Sequence, residues 1–334
     1  MTTAADRPSG DGSTLIGTEN EVLVFDPTLP PACEVNPGAT VSFETSGEVL
    51  RPLACGAALD SVDLERATAV TGPVLVRGAS PGDALRLEVV DVAIDQAWVV
   101  WIEGFGPLGS HTQGVQVFET PISDGRIHLG EGLSVPLAPM IGCVGLAPAD
   151  GTMSTMRPVY PTGGNMDLRE LSPGAVLWLP VAAPGALLSI GDLHAAMGQG
   201  EPAFVALEAS GTATVRIDLE RDSELEFPRL RSGGDTVCVG MGPSFPEARA
   251  SAVQQAFDLL LRNVWNVGAR RVRLRLRLRG TEGGRAVGPD GRRAGGRPGG
   301  RARSTRFRVI PSASAAGANA LATDEVQAPG PRPV

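Results

Sequence analysis

The chain has 334 residues, 42% hydrophobic and 20% charged, with a formal net charge of −8; this is the composition of one large or two ordinary globular domains and excludes a disordered chain. No apolar run approaches the roughly 20 residues needed to span a bilayer, and the polar stretch from Met1 to Thr14 lacks the basic-then-apolar order of a signal peptide, so a cytoplasmic location and no membrane partner are expected. All 29 basic residues are arginine, which excludes any site built on lysine, whether Ser-Ser-Lys, Glu-Lys-Cys or carbamylated lysine.

Residues 1–18 read as a disordered lead. From 19 to 268 the chain reads as one β-rich domain. Val22 to Phe25 is a short apolar run before a proline-rich turn, and Thr40 to Thr45 alternates at period two. Gly72 to Arg77 leads into the turn Ala79-Ser80-Pro81-Gly82-Asp83, and Ala84 to Val90 returns with the polar/apolar alternation of a half-buried antiparallel strand. Ala175 to Val181, Phe204 to Glu208 and Thr212 to Leu219 continue the pattern. With 43 glycines and 28 prolines to turn the chain, the expected fold is mainly β, antiparallel strands in a sandwich- or barrel-like arrangement. A small α/β part carries a late helix, about 245–264. There Ser244 and Glu247 form a capping box with Pro246 in the first turn, and Ala252, Val253, Ala256, Phe257, Leu260 and Leu261 recur at helical spacing.

The character changes in the tail, 269–334. Between Arg270 and Arg308 there are 14 arginines against only Glu282 and Asp290, so an acidic body carries a basic extension. It reads as a nucleic-acid arm, a disordered extension lying on the acidic body, or the product of a shifted reading frame. Phe307 is its one aromatic, so the base stacking of a dedicated RNA-binding segment is missing, and nucleic acid is not the expected partner.

Two pattern matches carry no chemistry. Gly78-Ala79-Ser80-Pro81-Gly82 fits a nucleophile elbow, but a proline follows the serine and a strand follows the turn. Gly104-Phe105-Gly106-Pro107-Leu108-Gly109 fits a dinucleotide fingerprint, but opens no helix to hold a pyrophosphate. Cys33, Cys55, Cys143 and Cys238 have no C-x-x-C spacing and read as small buried hydrophobes.

Three histidines exist. His128 lies in an evident strand, and His111 has no acid near it in sequence. His194 sits in Gly191-Asp192-Leu193-His194, where Asp192 and His194 project to one side of an extended segment. Glycines 191, 198 and 200 permit the tight turning that returns Glu201 to the same spot. One imidazole with carboxylates suits zinc or another divalent ion; a surface Asp–His pair in a glycine loop is the alternative. Upstream, Gly163-Gly164-Asn165-Met166-Asp167 is a second polar loop, whose Asn165 could bond a carboxamide and whose Asp167 could ligate metal.

Taken together, these segments resemble the acetamidase/formamidase family over about Val22 to Asn266. The matching stretches, in the family's order, are Gly72-Pro73-Val74 with Gly78 to Asp83, Pro139 to Pro148, Gly163 to Asp167, and Gly185 to Gly198. The resemblance implies hydrolysis of short carboxamides such as formamide or acetamide to carboxylate and ammonia, a divalent metal (zinc, with calcium as the alternative), and a homo-oligomer. Asp192, His194 and Asp167 are the expected ligands, Glu201 the general acid/base, and Asn165 a positioning residue. Gln199 replaces an aspartate usual in the family, and the Arg-rich tail begins where its last element should stand. These departures favour the alternative of a non-catalytic metal-binding or oligomerising descendant.

Overall fold

Apolar residues at every second position commit the chain after Asp83 to a half-buried strand, and in the computed structural model that strand runs from Ala84 to Ile102. The structure describes residues 14–157, 159–223, 225–266 and 306–313. Leu85, Leu87 and Val89 point into the core, then the inward set changes parity to Val92 and changes back at Ala97, leaving Trp98 and Val100 to a second apolar cluster. The cause is visible in the pairing with the strand Leu207–Glu220. The register slips where Val89 and Asp91 face Val215 and Thr214, and again where Ile94 and Gln96 face Gly211 and Ser210. Each slip inserts one unpaired residue, and one residue is enough to exchange the two faces of a strand. Val90, the first inserted residue, is therefore exposed although it is apolar.

Leu207–Glu220 is the spine of the architecture. Along its full length it pairs antiparallel with Ala84–Ile102; on its other edge its start pairs with Leu188–Ala196 and the remainder with Thr40–Thr45. The main path of the 15-stranded sheet continues from Leu188–Ala196 to Met140–Gly145 and Gly163–Asn165 on one side. On the other it continues from Ala84–Ile102 through Val176–Pro180 and Arg229–Ser232 to Asp235–Gly242. Phe43, Leu85, Ile141, Leu177, Leu188 and Leu193 belong to one continuous core. Each such side chain removed from water contributes about 1.5–3 kcal/mol. The mainly antiparallel β fold expected from the strand pattern is what the chain adopts.

The α/β part lies at the far end of this path. The helix Phe245–Asn266 packs on Asp235–Gly242 and on a parallel strand, Arg306–Ala313. Ser244 donates to the Glu247 carboxylate at 2.6 Å, and Ala248 N–H donates to the Ser244 carbonyl. The buried stripe is Ala248, Ala252, Ala256 and Leu260, narrower than the sequence pattern suggests; Phe257 and Leu261 are exposed. Small residues are required because the helix lies directly on Gly240, where a Cβ would strike the Ala248 carbonyl and Ala252.

Several expectations need correction. Residues 14–18 are not part of a disordered lead: Thr14–Ile16 pairs in parallel with Val41 to Phe43, and Ile16 is buried. In the tail 269–334, residues 306–313 form the strand beside Asp235–Gly242, whose edge is otherwise open to pairing; residues 1–13, 267–305 and 314–334 lie outside the described residues, and with them the Gly/Arg-rich stretch. Of the cysteines only Cys143 and Cys238 are buried, while Cys55 is exposed. The two pattern matches are turns. Asp83 N–H donates to the Ser80 carbonyl, and only a three-residue 3-10 turn, Gly109–His111, follows the second. No helix among the described residues is long and apolar enough to cross a membrane.

Candidate active site

The site is built where the Leu188–Ala196 strand meets its neighbours. His194 faces Met140 on one side and Glu208 on the other, and its side chain is 1% exposed. Its Nε2 lies 3.3 Å from Asp192 Oδ1 and 3.6 Å from Glu208 Oε2. Glu208 is fixed through its other oxygen, which accepts from Ala206 N–H at 2.8 Å. Asp192, His194 and Glu208 thus offer three donor atoms within 4.8 Å of one another.

Asp167 and Glu201 form a second such trio with the same imidazole. Asp167 is hung over the sheet because its own N–H and that of Met166 both donate to the Gly142 carbonyl. Gly142 must be glycine for a steric reason. A Cβ there would lie 2.7 Å from Asp192 Oδ2 and 3.1 Å from Asp167 Oδ1, in the gap between the two carboxylates. Glu201 reaches in from the segment joining Leu188–Ala196 to Leu207–Glu220. Its N–H donates to the Gly198 carbonyl, and its carbonyl accepts from Phe204 N–H. Phe204 in turn meets Phe105 edge-on, with ring centroids 6.0 Å apart.

Backbone conformation marks the same residues. Asp167, Asp192 and Glu201 have φ of 43°, 55° and 44°, a left-handed conformation that non-glycine residues rarely adopt. Such residues cost about 1–3 kcal/mol each and persist where surrounding structure holds them, commonly at functional sites. Three of the four acids around one buried histidine carry this cost.

The electrostatics follow from packing four carboxylates around one imidazole out of water. Burial, then the Asp192 charge, pushes Asp167 up to about 7. Burial, then Asp167 and Glu208, pushes Glu201 up to about 9. Burial also raises Glu208. At His194 burial opposes the charge, but Glu208 and Asp192 outweigh it and hold the ring well above the usual histidine range. All four shifts make the folded protein bind protons more tightly than the unfolded chain, so their stabilisation is present at low pH and lost as pH rises through the folded values. The metal-free protein is therefore expected to melt at a lower temperature at pH 9 than at pH 6, measurable by calorimetry; an equal or higher melting temperature at pH 9 would contradict this electrostatic picture.

Two buried atoms in the cluster, His194 Nδ1 and Asp167 Oδ1, have no hydrogen-bond partner. Unpartnered buried polar atoms are costly. Here they accompany an excess of negative charge and a gap kept clear by Gly142. The donor set, one imidazole with carboxylates in tight convergence, fits a divalent ion, and the imidazole suits zinc better than calcium, which takes oxygen ligands.

The structure brings together Asp167, Asp192, His194 and Glu201, all four identified in the sequence. Asn165 lies beside Cys143 in the adjacent strand, with its Oδ1 buried and unpartnered. Glu208 was missed. Its strand was recognisable, but the cross-strand register that sets it opposite His194 was not. Gln199, the departure from the family pattern, donates to Glu170 at 3.4 Å. His128 bonds Ser123 across a hairpin and His111 is exposed, so neither joins the site.

This is a β-rich scaffold with a buried imidazole–carboxylate centre where the strands Met140–Gly145, Leu188–Ala196 and Leu207–Glu220 lie side by side. The sequence profile described as the acetamidase/formamidase family matches residues 18–154 and 147–232, and the chain belongs to that family. It is 28% identical over 257 residues to a Schizosaccharomyces pombe protein described as a candidate formamidase, and the match takes in 58% of this chain and 62% of that protein's length. Among solved structures, an acetamidase from Bacillus halodurans superposes with a TM-score of 0.62 at 34% identity, over 65% of this chain and 74% of that one. A predicted acetamidase/formamidase from Thermoanaerobacter tengcongensis gives 0.68 at 28% identity, over 74% and 82%.

Proposed function

We propose that this chain hydrolyses short carboxamides to carboxylate and ammonia at a zinc-type centre held by Asp192, His194 and Glu208, with Asp167 beside it. The observation that carries the reading is the convergence of four carboxylates on the buried His194, with unpartnered polar atoms and a glycine-cleared gap between them. Family membership and relatives named for acetamide and formamide support the choice of amide as substrate.

When bound, a divalent ion would polarise the amide carbonyl and acidify a water held beside it. The chain's own groups do the rest. Asp192 and Glu208 flank His194 Nε2 at 3.3 and 3.6 Å, so the three side chains would share the ion. Glu201 is the one acid of the four on a connecting segment rather than beside the Gly142 gap or on a strand. It would take a proton from the attacking water and return it to the departing nitrogen. Asn165 Oδ1 is proposed to accept from the amide N–H. No lysine, serine triad or thiolate is needed, and Cys143, whose thiol burial and the nearby Asp192 and Asp167 charges raise, stays protonated.

Ammonia release from formamide and acetamide by the purified protein tests this reading. Release that ceases with a chelator is expected. A folded, zinc-loaded protein that releases none from either amide would favour a non-catalytic descendant of the scaffold. Cytoplasmic location and homo-oligomerisation stand as part of the same proposal, the second testable by light scattering.

A further inference from the structure

The loop from Gly104 to Gly109 opens only a three-residue turn, yet it lies directly against the segment that carries Glu201. That segment is bent twice into a conformation its sequence disfavours. Pro202 biases the residue before it towards extended backbone with negative φ, but Glu201 has a φ of 44° and Phe204 a φ of 62°. One hydrogen bond joins the two bends, from Phe204 N–H to the Glu201 carbonyl at 2.9 Å. Left-handed residues persist where their surroundings hold them, and here the loop supplies the surroundings. Phe105 meets the Phe204 ring edge-on, with 6.0 Å between centroids and 67° between planes. Gly106 sits so close to the Ala203 carbonyl that a Cβ would strike it. Val100, Ile102, Phe105 and Leu108 close on Ala203 and Val205 across one small crevice. The loop is braced from within. Gly104 N–H donates to the Gly109 carbonyl, Gly109 N–H to the Gly106 carbonyl, and Gly114 N–H to the Glu103 carboxylate at 2.7 Å.

We propose that Phe105 is a positioning residue for amide hydrolysis: with Gly106 it clamps Ala203 and Phe204, and so holds the Glu201 carboxyl at the His194 cluster. This rests on the amidase reading, in which Glu201 carries the proton. Asp192, His194 and Glu208 sit on the strands Leu188–Ala196 and Leu207–Glu220, whose ladders fix them. The backbone at Glu201 is held instead by the turn bonds to Gly198 and Phe204. Two turn bonds fix a local bend; they do not fix where that bend stands relative to the strands. The contact with Phe105 does, because an edge-to-face aromatic pair has a preferred geometry that an aliphatic neighbour would not impose. Phe105 and Phe204 are 38% and 56% exposed, so truncating either ring leaves the main core intact.

The test uses the zinc-loaded full chain and a short amide. Phe105→Ala is expected to keep its zinc and nearly the same KM while kcat falls about 10- to 100-fold, since displacing a reacting group by about 1 Å can cost about 10²-fold. Phe105→Tyr keeps the ring and should restore most of kcat. A double-mutant cycle separates positioning from general structural damage: in the Glu201→Gln background Phe105→Ala should cost nothing further, because no proton carrier is left to misplace. Phe204→Ala should reproduce the effect from the other side of the contact, and serves if Phe105→Ala does not fold. Hydrogen exchange needs no turnover and so tests the clamp apart from the amidase reading. Loss of one aromatic pair should speed exchange of the Glu201 and Phe204 amides about 2- to 10-fold, with the amides of Leu188–Ala196 unchanged. Faster exchange in a protein whose wild type turns over no amide would leave the clamp standing and sink the amidase reading. Unchanged exchange, a kcat loss equally large in the Glu201→Gln background, or zinc lost together with kcat would overturn the proposal.

Discussion

Replacing His194 by asparagine is expected to abolish both metal retention and amide hydrolysis. The imidazole is the shared member of both donor trios, and it is the only cationic or neutral donor among four carboxylates. Its Nε2 is within 3.6 Å of Asp192 and Glu208, so no single acid can replace it. Loss of a group that merely supports a ligand costs about 10–100-fold in metal affinity; loss of this ligand should cost more than 100-fold. The four acids left behind would take up protons to relieve their mutual repulsion, which keeps the variant foldable at neutral pH. Metal content by atomic absorption, measured with ammonia release on the same samples, checks the expectation. An asparagine variant that keeps stoichiometric zinc would show that the donor atoms lie elsewhere.

Glu201→Gln should separate binding from chemistry. Glutamine keeps the size and the backbone hydrogen bonds to Gly198 and Phe204 but cannot exchange a proton. If Glu201 is the proton carrier, zinc stays bound within a few-fold while kcat falls about 10²–10⁴-fold, the usual contribution of a positioned acid or base. Its high proton affinity in the metal-free cluster, about 9, comes from burial and from its anionic neighbours. A bound cation would offset those charges and draw the carboxyl towards neutral pH, where it can both accept and donate. The opposite result, zinc lost together with activity, would make Glu201 a ligand, since it also belongs to the trio with Asp167 and His194. Unchanged kcat would remove it from the mechanism.

The parts legible in the sequence were those written in local pattern. The Ala84–Val90 alternation, the turn at Ser80 to Asp83 and the helix after Ser244 each rest on neighbours within one element. Even there tertiary context intervened. Phe257 and Leu261 fit the helical period, yet face outward because Gly240 admits only a stripe of alanines. Asp192 and His194 were legible because two positions along one strand share a face. Glu208 was not, because its place opposite His194 depends on the length of the connection from 197 to 206 and on a register shift between His194 and Ala196. Gly142 escaped for the same reason: its role is the space it leaves between Asp167 and Asp192, which no local pattern records. The parallel pairing of residues 306–313 with Asp235–Gly242 joins strands separated by more than sixty positions in the sequence, and the arginine-rich composition between them gave no sign of it.

The most direct test of the account is a titration of zinc into chelator-treated protein, following ammonia release from a short amide and bound zinc in the same samples. The account predicts that the rate rises in proportion to bound zinc and levels off when the His194 cluster is filled, with His194→Asn showing neither. Full activity in zinc-free protein would contradict it.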